Sequence, residues 1–132
     1  MKIVFTPTEA ENLFYDALCN ALNYVESGYD LELVYSDTDY NTAKSNLKAQ
    51  KGLDFAICYE DILMQILRDG NRLELKDNDA ECYTRSITLD DVHEKVALTP
   101  IEHLLDAINE NGDASTGDCI IQSVFFGEVI FG

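Results

Sequence analysis

The end of the chain restricts its fold more than any other stretch. The run from Cys119 to Phe131 is the longest apolar segment, rich in β-branched and aromatic residues, with Gly127 as its one glycine. That composition suits a strand buried on both faces. Alternatively, Gly127-Glu128 forms the two-residue turn of a hairpin, because glycine at the first turn position fits type II′ geometry. In either form so apolar a segment must be paired and covered, or it becomes an aggregation site. The upstream chain is therefore expected to supply partner strands and covering helices.

Upstream, strand-like and helical patterns alternate. Lys2 to Phe5 reads as a first strand. Thr6-Pro7-Thr8-Glu9 opens a helix: Thr6 caps it, Pro7 suits the first helical position, and Glu9 reaches back to the cap amide. Leu13, Phe14, Ala17, Leu18, Ala21, Leu22 and Val25 form its apolar stripe, and Ser27-Gly28 ends it. Leu31 to Ser36 is a half-buried strand, followed by a cap at Asp37-Thr38-Asp39 and a weaker helix over 40–50. Leu53 to Cys58 is a third strand, and Glu60 to Asp69 a helix stopped by Gly70. Residues 72–76 and 81–87 flank the polar turn 77–80 as an antiparallel hairpin. Thr88 starts a short helix through Ala97. Thr99-Pro100 starts another, with Ile101, Leu104, Leu105 and Ile108 inward and a stop at Asn111-Gly112. Residues 113–118 read as a polar loop. The expected fold is one α+β domain over 1–132, a mixed sheet of about five to seven strands under about four to five helices.

Charge is the unusual bulk quantity. With 25 acids against 9 Lys and Arg the formal net charge is −16. Residues 1–43 hold eight acids and one base, 44–95 eleven and eight, and 96–132 six and none. Such a field repels nucleic acid and anionic membrane and attracts basic surfaces. No apolar run approaches the roughly 18 residues of a membrane span, and the first residues are too short for a signal segment. A cytoplasmic location is the expectation. Cys19, Cys58, Cys82 and Cys119 lack metal-knuckle or redox spacing, so they read as reduced core thiols.

Motifs with chemical content are few. Asp37-Thr38-Asp39 after a strand has the form of a magnesium site, but it needs further acids, with Asp90 and Asp91 the nominees, and a cation for phosphate. Capping by Asp39 is the favoured reading. His93 and His103 lie among acids on helices, an arrangement more often surface than site. No glycine-rich nucleotide loop or nucleophile elbow occurs, so neither cofactor, metal nor catalytic residue is assigned. Residues 88–131 have the outline of a winged helix-turn-helix, whose reading helix would carry Glu102, Asp106 and Glu110. That face disfavours direct DNA contact.

The functional expectation is an acidic protein-interaction module for a basic partner, in its sharper form a mimic of DNA that inhibits a nucleic-acid-binding protein. The surface residues nominated are Glu9, Glu11, Asp16, Glu102, Asp106 and Glu110, with Tyr15 and Tyr24, tyrosine being enriched at interfaces. Second comes an assembly protein dimerising through the C-terminal strand. Third comes a small metal-dependent phosphate-handling enzyme using Asp37 and Asp39. What separates the first from the others is whether the acids converge on one surface.

Overall fold

The computed structural model describes residues 3–52, 56–79 and 82–132. Among them are six α-helices and a three-stranded antiparallel sheet. The helices are α1 (Pro7–Tyr29), α2 (Asp37–Lys51), α3 (Tyr59–Arg68), α4 (Leu89–Lys95), α5 (Ile101–Ile108) and α6 (Ala114–Phe126). The strands are β1 (Leu31–Val34), β2 (Leu73–Asp77) and β3 (Arg85–Ile87), in that order across the sheet. The fold is thus α+β, but the expected mixed sheet of five to seven strands is corrected to three strands, all antiparallel.

The largest correction is the C-terminal run, which is a buried helix rather than a strand or hairpin. Asp113 caps α6, its carboxylate accepting the Thr116 N–H at 3.0 Å. Gly127 ends it in the left-handed conformation at φ +79°. The expected loop 113–118 is therefore the cap and opening turns of this helix. All residues from Thr116 to Phe125 are buried. A helix buried on every side shows no amphipathic period, so its composition reads like that of a central strand. The glycine that suggested a hairpin turn is the helix stop.

Two smaller differences also reduce the sheet. Residues 3–5 form no strand, although Ile3 and Phe5 pack on the core; Lys2 lies outside the described residues. Of the strand expected over 53–58, residues 53–55 lie outside the described residues, and 56–58 form no regular element.

The amphipathic pattern of the first helix matches the structure. α1 opens with the expected capping box: the Thr6 N–H donates to Glu9 Oε1 at 2.9 Å, and the Glu9 N–H to Thr6 Oγ1 at 3.2 Å. Its buried stripe is Ala10, Phe14, Ala17, Leu18, Ala21, Leu22 and Val25. α2 is capped by Ser36, whose hydroxyl accepts the Asp39 N–H at 3.0 Å, so Asp39 is not the cap. Leu31, Leu33, Leu73, Leu75 and Ile87 supply the sheet's buried apolar side chains, with Leu33 opposite Leu75 and Leu73 opposite Ile87.

α6 lies against α1 as the main helical contact. The crossing is close because the facing residues are Gly117, Ala17 and Ala21. A Cβ at Gly117 would come within 2.8 Å of Ala21 Cβ.

Thr99 sits at the junction before α5. Its hydroxyl is buried and has no hydrogen-bond partner among the described residues, so the expected cap there is not formed. A buried unmade hydroxyl bond is unfavourable. Thr99→Val is therefore expected to leave stability unchanged or raise it by about 1 kcal/mol. Urea unfolding checks this, and a loss above about 1 kcal/mol would mean that the hydroxyl has a partner after all.

Candidate functional site

The acidic residues nominated from sequence divide into three groups. Glu9 is spent on the α1 cap. Its carboxyl is held below the usual range chiefly by the Thr6 amide.

Glu11 is structural as well. Its Oε1 accepts from Arg68 Nε of α3 at 2.8 Å, and its Oε2 lies 2.8 Å from His93 Nε2 of α4. Burial pushes this carboxyl up, but the bonds to Arg68 and His93 outweigh it and leave it below the ordinary value of 4.5. A carboxylate with a depressed folded pKa contributes stability above its unfolded pKa, and that contribution fades as pH falls through the folded value. Asp91, held down by the Thr88 amide and Lys95 against its own burial, acts in the same direction. The protein is thus expected to lose stability progressively below about pH 4.5, where unfolded carboxylates take up protons. Glu11→Gln should cost about 1 kcal/mol at neutral pH and flatten that acid limb. Thermal melts of both proteins between pH 7 and 3 test it, and identical limbs would contradict the assignment.

Asp16 and Glu110 do come together. They line one cleft of about 270 Å³, with Asp113 and Asn20 also on its lining and Leu13 and Ile120 among its apolar walls. α1 contributes Asp16 and Asn20, the chain after α5 contributes Glu110, and the α6 cap contributes Asp113. Among the described residues no lysine or arginine lines it. The Asp113 carboxyl is lowered chiefly by the Thr116 amide that it caps, so this acid stays ionised.

Glu102 and Asp106 form the third group, both exposed and one turn apart on α5. Beside them runs a feature that the sequence pattern hid. Ile101, Leu105 and Ile108 do not point inward; they are 42%, 43% and 47% exposed, and Leu98 just before them is 55% exposed. Only Leu104 of this helix is buried, with Ala107 partly so. Ile101, Leu105 and Ile108 follow the four- and three-residue spacing that makes one row on the surface of α5, whereas Leu98 lies before the extended residues Thr99 and Pro100 and is not part of that helix. The signal was present as too many apolar positions for so short a helix. One row packs on the core, and the second is left outside.

The tyrosines differ from each other. Tyr15 packs against the core, and burial, then the Asp61 carboxylate, push its hydroxyl up. Tyr24 is exposed, edge-on to Tyr29 at 6.0 Å. Tyr35, Tyr40 and Tyr59 group near α2 and α3, with Tyr35 and Tyr40 stacked at 5.4 Å. Of the cysteines only Cys119 is buried; Cys19, Cys58 and Cys82 are exposed free thiols, which corrects the core reading for those three.

For the remaining motifs the structure is plain. Asp37 and Asp39 stand in the first turn of α2, and Asp90 and Asp91 in that of α4. Among the described residues no three His, Cys, Asp or Glu side chains are grouped as a metal ion requires. His103 is half-buried, its Nδ1 3.4 Å from Thr116 Oγ1, and neither histidine is a free surface group. After α4 and α5 comes α6 instead of a hairpin, so no wing exists. The C-terminal strand on which a dimer was expected is likewise absent. Among the described residues no helix is long and apolar enough to cross a membrane. Compared with protein-family models, curated proteins and solved structures, the chain has no match.

Proposed function

We propose that this protein is an acidic interaction module that binds a basic protein, with its contact surface on α5, the Glu110–Asp113 turn and the adjoining part of α1. The observation that carries this reading is the cleft between α1 and the α5–α6 turn, which Asp16, Glu110 and Asp113 line together, with no lysine or arginine on its lining among the described residues. Glu102 and Asp106 extend the same sign along α5. The whole segment 96–132 holds no lysine or arginine to neutralise them. The helix-breaking turn keeps Glu110 at φ +59°, which fixes where the chain leaves α5 for α6. In the sharper form of the proposal, this surface occupies a groove that the partner otherwise offers to nucleic acid.

Carboxylates with no nearby cation attract basic groups over a range set by ionic strength. A fluorescent lysine-rich peptide should therefore bind at about 20 mM salt and lose most of its affinity at about 300 mM. The triple variant Asp16→Asn, Glu110→Gln and Asp113→Asn should weaken binding several-fold. Asparagine retains capping ability at position 113, so α6 should stay intact. Binding that ignores both the salt and the three substitutions would remove the basis of the reading.

A further inference from the structure

We infer that the partner presents an amphipathic helix, apolar along one row and rich in Lys or Arg beside it, and that this helix docks along the exposed α5 row Ile101, Leu105 and Ile108. The inference rests on the basic-partner reading above and specifies the ligand's shape and chemistry. Scattered exposed aliphatics are ordinary on protein surfaces, but three in one row of a two-turn helix are a ready-made seam for a second helix. An amphipathic helix meets such a row through anchors at the same spacing.

The choice of occupant follows from charge. Glu102 and Asp106 occupy the helical row adjacent to Ile101, Leu105 and Ile108, and both are exposed. A second copy of this chain would bring a further net charge of −16 and no lysine or arginine from residues 96–132 to the seam. Self-association there would set carboxylates near carboxylates, an arrangement that interfaces use to exclude partners. Nucleic acid and anionic lipid are disfavoured by the same rim. A helix with leucines on one side and lysines beside them satisfies both features at once: its apolar residues cover the row, and its cations reach Glu102 and Asp106.

The test uses the full chain and a synthetic helical peptide with leucine at heptad a and d positions and lysine elsewhere, followed by calorimetric titration. A second peptide carries the same lysines with its leucines replaced by serine. The expected result is that the first peptide binds about tenfold or more tightly than the second. Leu105→Ser, at an exposed position, should weaken the leucine peptide about tenfold and leave the serine peptide unchanged. Ile101→Ser should repeat the effect, and circular dichroism checks that both variants fold. Glu102→Gln with Asp106→Asn should weaken both peptides, whereas Glu32→Gln on β1 should weaken neither.

Equal binding of the two peptides, unaffected by Leu105→Ser, would overturn the helix-docking inference while leaving the basic-partner reading in place. Failure of both peptides to bind at low salt would overturn both. A concentration-dependent dimer in sedimentation that Leu105→Ser abolishes would assign the row to a second copy and overturn the inference. Binding to neutral phosphatidylcholine vesicles, lost in Leu105→Ser, would assign the row to lipid and overturn it as well.

Discussion

Gly117→Val is expected to be the most damaging single substitution in the chain, costing about 4 kcal/mol or preventing folding outright. The reason is the approach of α6 to α1. A Cβ at position 117 lies 2.8 Å from Ala21 Cβ, 3.2 Å from Ala17 O and 3.3 Å from Ala17 Cα. Two of these neighbours are backbone atoms of α1, which cannot turn away as a flexible side chain does. Relief requires the helices to separate, and separation loosens the packing of Phe14 on Phe125, whose rings sit 6.3 Å apart in the same core. Gly117→Ala makes the sharper comparison. In an exposed helix that change stabilises by about 1 kcal/mol through backbone propensity. Here the clash should reverse the sign, to a loss of about 1–3 kcal/mol. Chemical denaturation of both variants decides the matter. A stabilised Gly117→Ala protein would show that the crossing has room to spare.

The second large effect is expected at Gln122, which is fully buried in the middle of α6. Its Oε1 accepts the N–H groups of Ile130 and Phe131 at 2.9 and 2.8 Å. Its Nε2 donates to Asp118 Oδ1 at 2.7 Å and to the Phe131 carbonyl at 3.3 Å. Asp118, also buried, takes the Tyr29 hydroxyl at 2.6 Å on its other oxygen. One amide thus fastens residues 130–131 to the core helix and satisfies half of a buried carboxylate. Around that fastening Phe131 stacks on Tyr29 at 5.0 Å and meets Tyr83 at 5.4 Å. Gln122→Leu keeps the bulk but strands two backbone donors and one carboxylate oxygen, each worth about 1–3 kcal/mol if left buried. Part of that is recovered if the tail leaves for water, so a loss of about 3 kcal/mol is expected. Amide exchange at Ile130 and Phe131 should accelerate well beyond that of α1. Unchanged protection at those two amides would mean that the tail is held by its aromatic contacts alone.

Both positions show where sequence reasoning ran short. Gln122 and Gly117 stand inside or just before a run that, as sequence, looks like strand. The marks of a helix were only its ends, Asp113 and Gly127. Asp113 carries a recognised cap residue type, yet 113–118 is also the composition of a loop, and Gly127-Glu128 is also a turn. Where a helix has one wet face, as α1 does, spacing and caps agree and the reading succeeds. α6 has none, so β-branched content spoke alone, and that preference yields readily to tertiary burial. The consequence spread through the sheet, since a terminal strand was the reason to expect many partners.

The acidic residues were half legible. Counting charges located the segment 96–132 and named Asp16 and Glu110, which share the cleft. It had no means of seeing that Glu11 would be taken up by Arg68 and His93 from helices far along the chain. Nor did helical spacing reveal which apolar row of α5 meets the core, because a wide stripe on two turns offers two equivalent choices. Leu104 went in; Ile101, Leu105 and Ile108 stayed out.

The most direct measurement is an NMR titration of the ¹⁵N-labelled protein with the lysine–leucine helical peptide, mapping amide shifts residue by residue. Changes gathered along residues 98–113 and at the α1 wall near Asp16, fading as salt is raised, are the expected result. Small shifts scattered evenly over β1, α2 and the remaining exposed acids would contradict a dedicated binding surface.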